Sequence, residues 1–298
     1  SNVFIPRQAG HRGQLHHALT PIADFFTPLA FAGLDDITTY TANGLVSEQF
    51  EYLYVDDTYL VVGSGAGFSH IKLSDISNPR GKVCNYRGRS SSEASDRFGC
   101  SGFTKRTTDG KIYAWYGYDI VDVLDKTVVF ENAPDYTHAG YGCGPKDRFV
   151  TDENGNFWIG TSNLDETGTL STDPNANGLY RIWSDFSGRE TVIPDIAVWN
   201  IFKDSNGNIW ISANRGIFRR LPGGNPVLVY DSSATTHYAE QLFEFDGDVY
   251  AIIKNFFNYP YGLPGDMTYE LYKWNAVTSQ FDRVCDIFSS PHSNGAYA

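Results

Sequence analysis

The groups best suited to moving protons in this chain are its seven histidines and nineteen tyrosines. Three histidines, His138, His237 and His292, stand just ahead of strand-like runs, with Tyr136, Tyr141 and Tyr238 beside them. An imidazole titrates near neutral pH and a phenol can act as an acid, so a His base beside a Tyr acid suits β-elimination from a uronate. His138, His237, Tyr141 and Tyr238 are therefore the candidate catalytic set. Converging imidazoles would also suit a divalent Mn or Zn ion. The spacing argues against a shared height, since His237 precedes the turn residue Asp246 by nine residues and His138 precedes Asn154 by sixteen. Ordinary loop histidines are the alternative reading.

A second set has the chemistry of ligand contact. Phe256, Phe257, Tyr259 and Tyr261 cluster in one segment and offer planes for stacking on sugars, with self-packing of a long loop as the structural alternative. Arg87, Arg89 and Arg97 lie in a second segment, and Asp165, Glu166 and Asp173 in a third. Arg97, Tyr136, Phe257, Tyr259, Tyr261 and His292 form the expected ligand-binding set. Two metal or phosphate patterns fail on inspection. Asp152-x-Asn154-x-Asn156 and Asp204-x-Asn206-x-Asn208 open like calcium loops but have Asn163 and Arg215 where a bidentate Glu belongs. Gly63-Ser-Gly65-Ala-Gly67 runs into Phe68 to Leu73, which alternates like a strand instead of opening a phosphate-binding helix.

These residues need a scaffold, and the chain shows one as a repeat. An alternating apolar run, an Asp/Asn-Gly turn and an aromatic strand recur with anchors at Tyr59, Tyr113, Trp158, Trp210 and Tyr250, a mean spacing of about 48 residues. The turn dipeptides predict two-residue hairpins. Two more strand-like runs follow each hairpin, such as Gly178 to Trp183 with Glu190 to Ile193, and Gly216 to Leu221 with Pro226 to Tyr230. Four antiparallel strands per repeat predict an all-β fold, a β-propeller of four-stranded antiparallel blades. Five repeats are visible; residues 28–41 and 294–298 read as pieces of a sixth blade closed from both termini, with five blades as the alternative count. Residues 1–298 are expected to form one domain, with 1–27 as an N-terminal arm. With strands a to d in each blade, the a–b turns are tight. The long b–c connections (162–177 and 255–268) and d–a connections (86–102 and 131–147) fall at the other end, which marks that end as the working one.

Two repeats carry a fuller signature. Asp152-Glu-Asn-Gly155-Asn156-Phe-Trp158-Ile-Gly160-Thr161, followed by Gly178-Leu179-Tyr-Arg181, resembles the repeat of the two-component-regulator propeller family. Asp204-Ser-Asn-Gly207-Asn208-Ile-Trp210-Ile-Ser, followed by Gly216-Ile-Phe-Arg219, resembles it too. The resemblance covers about a third of the chain and implies blades. In that family the propellers are periplasmic ligand sensors, often for glycans.

Composition narrows the partners. Lys and Arg total 23 against 35 Asp and Glu, a formal charge of −12 that argues against nucleic acid. The longest apolar stretch, Ile22 to Leu34, is broken by Asp24 and Pro28, so no membrane insertion is expected. Cys84, Cys100, Cys143 and Cys285 form no Cys-x-x-Cys pair, which leaves two disulfides or four buried thiols open. Acidity, few lysines and many aromatics suggest a secreted or periplasmic bacterial protein. The expected function is an extracellular, monomeric propeller that recognises a small-molecule or glycan ligand, carbohydrate first, through the face bearing the long b–c and d–a loops. The alternatives are a propeller-type polysaccharide lyase or hydrolase and a protein-interaction scaffold. No cofactor is required beyond a possible divalent Ca, Mn or Zn.

Overall fold

A computed structural model describes residues 52–64, 67–77, 82–86, 100–117, 119–131, 133, 148–162, 177–232, 237–256 and 267–290. Their secondary structure is almost wholly strand. The first four strands are β1 (Tyr52–Val55), β2 (Tyr59–Ser64), β3 (Gly67–Lys72) and β4 (Cys84–Tyr86). Next come β5 (Cys100–Lys105), β6 (Ile112–Tyr116), β7 (Asp119–Asp122) and β8 (Thr127–Phe130). The third group is β9 (Phe149–Thr151), β10 (Phe157–Thr161), β11 (Gly178–Ile182) and β12 (Arg189–Pro194). The fourth is β13 (Val198–Lys203), β14 (Ile209–Ala213), β15 (Gly216–Arg220) and β16 (Val227–Asp231), and the fifth β17 (His237–Phe245), β18 (Asp248–Phe256), β19 (Met267–Asn275) and β20 (Gln280–Ser290). Each group forms one four-stranded antiparallel sheet in sequence order.

These are the blades that the repeat predicts, and the fold class is an all-β propeller of four-stranded antiparallel blades. Five blades lie among the described residues, which fits the five-blade alternative. The segments assigned to a sixth blade, 28–41 and 294–298, and the arm at 1–27 lie outside the described residues.

The chain divides into two compact units. One comprises Ser1–Lys105 and Lys111–Asn132, and so holds the first two blades; the other comprises Arg106–Gly110 and Ala133–Ala298, with the last three. In the first unit, Val61, Phe68, Cys100, Ile112, Ala114 and Val121 form the core, with Phe68 stacked on Tyr86 at 4.8 Å. In the second, Trp158, Leu179, Val198, Ile201 and Ile211 fill one interface between blades, and Trp210, Ile217, Leu242, Ala251 and Trp274 the next. The b strands β6, β10 and β14 are buried at every position, because both of their faces are covered. That is why they read as continuous apolar runs and not as alternation. The d strands β12 and β16 are mostly exposed or half-buried.

The repeat signature is a hydrogen-bonded cassette. Asp204 Oδ1 accepts the backbone N–H groups of Asn206 (3.0 Å) and Asn208 (2.8 Å), while Oδ2 accepts Asn208 Nδ2 (2.7 Å) and Trp210 Nε1 (2.8 Å). Asp152 repeats this with Asn154, Asn156 and Trp158. The two-residue hairpins expected here are corrected: residues 152–156 and 204–208 make five-residue turns between their strands, and the Asp carboxylate supplies the acceptor that a strand ladder would otherwise provide. Among the described connections between the first and second strands of a blade, that of the fifth blade has two residues, with both Asp246 (φ 52°) and Gly247 (φ 78°) left-handed. Across the sheet Trp158 faces Arg181 and Trp210 faces Arg219, and each guanidinium lies over the indole, at 5.6 and 5.0 Å. The repeat's final Arg is thus the partner of its Trp. Trp158, Trp210 and Tyr113 are buried anchors, but Tyr59 and Tyr250 are half-buried, so the first and fifth blades lack a fully enclosed anchor aromatic.

The turn end is also where blades of the second unit are joined. Arg220 of the fourth blade makes a two-pronged pair with Glu153 of the third (2.9 Å each), and Gly223 donates its N–H to the same carboxylate at 2.6 Å. Glu244 of the fifth blade accepts the N–H and hydroxyl of Ser205 of the fourth, the former at 2.8 Å.

Candidate functional site

The opposite end of the second unit, where the long connections leave the blades, is built differently. The a strands are interrupted there by bulges at one repeated position. In β13 the pairing jumps from Val198 to Asn200, leaving Trp199 as the extra residue. In β17 it jumps from Ala239 to Gln241, leaving Glu240. In β5 of the other unit Ser101 is skipped in the same way. Each extra residue lies three positions before the residue that faces the anchor aromatic, namely Phe202, Phe243 and Thr104. A bulge re-aims one side chain and increases the local twist, and such devices concentrate beside binding and catalytic sites.

In the fifth blade the bulge brings chemistry together. Tyr238, Lys254 and Tyr269 are direct partners across β17, β18 and β19, on one row near the loop end. The Tyr269 phenol is hydrogen-bonded to the Glu240 carboxylate, and Lys254 Nζ lies 5.4 Å from the Tyr269 ring centre. All three side chains, Glu240, Lys254 and Tyr269, are half-buried. Burial first, then the Glu240 charge and hydrogen bond, push the Tyr269 phenol up to about 12. Tyr269 therefore stays a hydrogen-bond donor across the physiological range, and Glu240 an acceptor with capacity beyond that one bond.

In the fourth blade the extra residue, Trp199, is 7% exposed. Its carbonyl accepts Arg148 Nε at 3.1 Å, and Arg148 Nη1 donates to Ser162 Oγ at 3.0 Å. Arg148, 1% exposed, thus ties the roots of the 131–147 and 162–177 connections to the next blade.

His237 and Tyr238 open β17 at this same end, His237 opposite Asn255. The structure brings Tyr238 into the row with Lys254 and Tyr269. Phe256 is the last residue of β18, paired with Met267, and not part of a loop as expected. Arg97, Tyr136, His138, Tyr141, Phe257, Tyr259, Tyr261 and His292 lie outside the described residues. Among the described residues no group of three or more His, Cys, Asp and Glu is placed to hold a metal. Cys84, Cys100 and Cys285 are free thiols and Cys285 is exposed, which corrects the pairing into two disulfides and the four buried thiols alike. Sequence reasoning missed Glu240, Lys254, Tyr269 and Trp199; the skipped positions of Glu240 and Trp199 show only in the pairing with the partner strand.

Residues 193–215, which span β13, β14 and the Asp204 turn, match the family model of the two-component regulator propeller. The repeats are of the regulator-propeller type. The matched residues take in both the Asp204 turn and the Trp199 bulge of β13. No curated protein matches the chain. Among solved structures it is similar to the extracellular domain of BT4673 from B. thetaiotaomicron, at 16% identity and a TM-score of 0.44 over 81% of this chain and 36% of that one. It is also similar to a structural-genomics protein of unknown function from Bacteroides thetaiotaomicron, at 13% identity and 0.41, over 83% and 62%. A third is PorZ of Porphyromonas gingivalis, at 9% and 0.31, over 80% and 51%. The chain spans less than two thirds of the length of each, and no activity is transferred from them. Among the described residues no helix is long and apolar enough to cross a membrane.

Proposed function

We propose that this chain is an extracellular or periplasmic ligand-binding propeller, and that its ligand is a neutral carbohydrate held at the loop end of the last blade. The observation that supports it is the Glu240–Tyr269–Lys254 cluster raised on the β17 bulge. Sugars are bound by an aromatic plane flanked by donors and acceptors for hydroxyls. Tyr269 supplies the plane, Lys254 donors and Glu240 an acceptor. One cation and one anion flank the ring, so the set carries no net charge of its own. With an overall charge of −12, a polyanionic glycan would meet repulsion that a neutral one does not. The acidic, lysine-poor composition supports the compartment.

Calorimetric titration at neutral pH with cello-, xylo-, manno- and maltohexaose, beside trigalacturonate, tests the reading. One neutral hexasaccharide is expected to bind, with Glu240→Gln and Tyr269→Phe each weakening it about tenfold, as for one hydrogen bond involving a charged group. The proposal fails if no neutral sugar binds, or if binding ignores both substitutions. The same mixtures, followed for unsaturated products and new reducing ends, examine the lyase or hydrolase alternative on His138, His237, Tyr141 and Tyr238.

A further inference from the structure

A bulge in an edge strand is costly to hold, because the extra residue breaks the ladder and leaves backbone groups aimed away from the sheet. At the β17 bulge the fourth blade supplies the missing partners on both flanks. Ahead of it, Ser212 Oγ, at the loop end of β14, donates to the Ala239 carbonyl. Behind it, the Leu242 N–H donates to Asn200 Oδ1 at 3.1 Å. Asn200 and Ser212 are 4% and 0% exposed, and they face each other as partners across β13 and β14. Two buried side chains of one blade therefore bracket Ala239 to Leu242 of the next, with Glu240 between the two fixed points.

We propose that Asn200 and Ser212 are positioning residues that set the height and direction of the Glu240 carboxylate against Tyr269. The bulge alone fixes only that the Glu240 position is skipped in the β17–β18 register. The bracket fixes where its backbone sits, and hence whether its carboxylate reaches the phenol that β19 presents. Asn200 itself follows Trp199, the extra residue of β13, and that bulge is held in turn from the third blade: Arg148 binds the Trp199 carbonyl, as Asn200 of the fourth binds the Leu242 N–H. The inference rests on the reading of Glu240 as a ligand contact only for its functional meaning; the geometry can be read without any sugar.

The test uses the intact chain labelled with carbon-13 at the tyrosine Cζ, with Tyr269→Phe to assign the signal. In the native protein the Tyr269 signal is expected to report a phenol donating to a carboxylate and to stay in its protonated position at pH 11. Asn200→Leu, similar in volume but without an acceptor, is expected to move that signal to the position it has in Glu240→Gln and to let it titrate by pH 11. Asn200→Asp keeps an acceptor for the Leu242 N–H and is expected to restore it. A merely structural role would lower the melting temperature of both variants and leave the Tyr269 signal alone. If Asn200→Leu does not fold, Ser212→Ala is read in the same way. A folded Asn200→Leu or Ser212→Ala with an unchanged Tyr269 signal overturns the proposal. Failure of every hexasaccharide to bind, with the signal moving as expected, overturns the carbohydrate reading and leaves the positioning role standing.

Discussion

Replacing Asp204 with Asn changes one atom of a buried side chain and should cost more than most core truncations. The Asp204 carboxylate is 5% exposed and accepts four hydrogen bonds, two on each oxygen. An amide has one oxygen, so in either orientation its NH2 group faces two donors. Turned toward the strand it opposes Asn208 Nδ2 and Trp210 Nε1; turned toward the turn it opposes the N–H groups of Asn206 and Asn208. Each hydrogen bond to a charged group contributes about 1.5–3 kcal/mol, and two are lost in either orientation, so the loss should be about 3–6 kcal/mol. For a unit of this size that corresponds to a fall of about 6–24 °C in the melting temperature. Differential scanning calorimetry, with urea unfolding followed by tryptophan fluorescence, gives both quantities. Asn206→Ala is the control: it contributes only its backbone N–H to Asp204 and its side chain is exposed, so a change within about 0.5 kcal/mol is expected. A loss below about 1 kcal/mol in Asp204→Asn would refute the account of the repeat as a carboxylate-centred cassette.

Three further outcomes follow from the same geometry. Glu153 is held down to about 2 chiefly by its Arg220 hydrogen bonds, against an ordinary value of 4.5. Its folded-state value is depressed, so its contribution is complete above about 4.5 and is lost as pH falls toward about 2; Glu153→Gln should flatten the acid limb of the second unit's melting curve in that window. His70 is buried, its value lowered by burial and then by Lys126, with the Tyr59 ring edge-on at 6.1 Å and Cys84 opposite on β4. The neutral form is favoured in the fold, so stability is complete above 6.5 and falls as pH drops below it. His70→Gln should therefore lessen the acid sensitivity of the first unit, measured by its unfolding between pH 7 and 5. Gly216 has φ 135°, and an added Cβ would stand 1.8 Å from the Tyr230 carbonyl oxygen. Gly216→Ala should destabilise by more than about 3 kcal/mol in urea unfolding, because both strain and backbone overlap must be relieved.

The blades were legible because their signals are local. The Asp-Asn-Gly-Asn turn, the Trp six residues after Asp152 or Asp204 and the Gly that opens β11 or β15 all lie within one repeat. The bulges were not, because the residue types around Trp199 and Glu240 do not mark an extra residue, and only the partner strand reveals the skipped position. Two-residue turns were expected for the same reason in reverse. Asn-Gly favours them locally, but an acceptor at Asp152 or Asp204 makes the five-residue loop the lower-energy closure. The charges at the candidate site were hidden by distance: Glu240, Lys254 and Tyr269 belong to three different strands, and nothing in their individual contexts distinguishes them from other half-buried polar residues.

Five of the contacts that join successive blades of the second unit share one property. Arg148 grips the Trp199 carbonyl, Asn200 takes the Leu242 N–H, Ser212 reaches the Ala239 carbonyl, Glu153 takes the Gly223 N–H and Glu244 the Ser205 N–H. On the receiving side each of them addresses the main chain, which every sequence supplies. A receiving blade can therefore exchange its side chains at those positions without unmaking the joint, so the interface tolerates drift on one side while constraining the other. Such one-sided joints would let a blade be replaced by a foreign repeat of the same register, provided the neighbouring donor and acceptor residues are left in place.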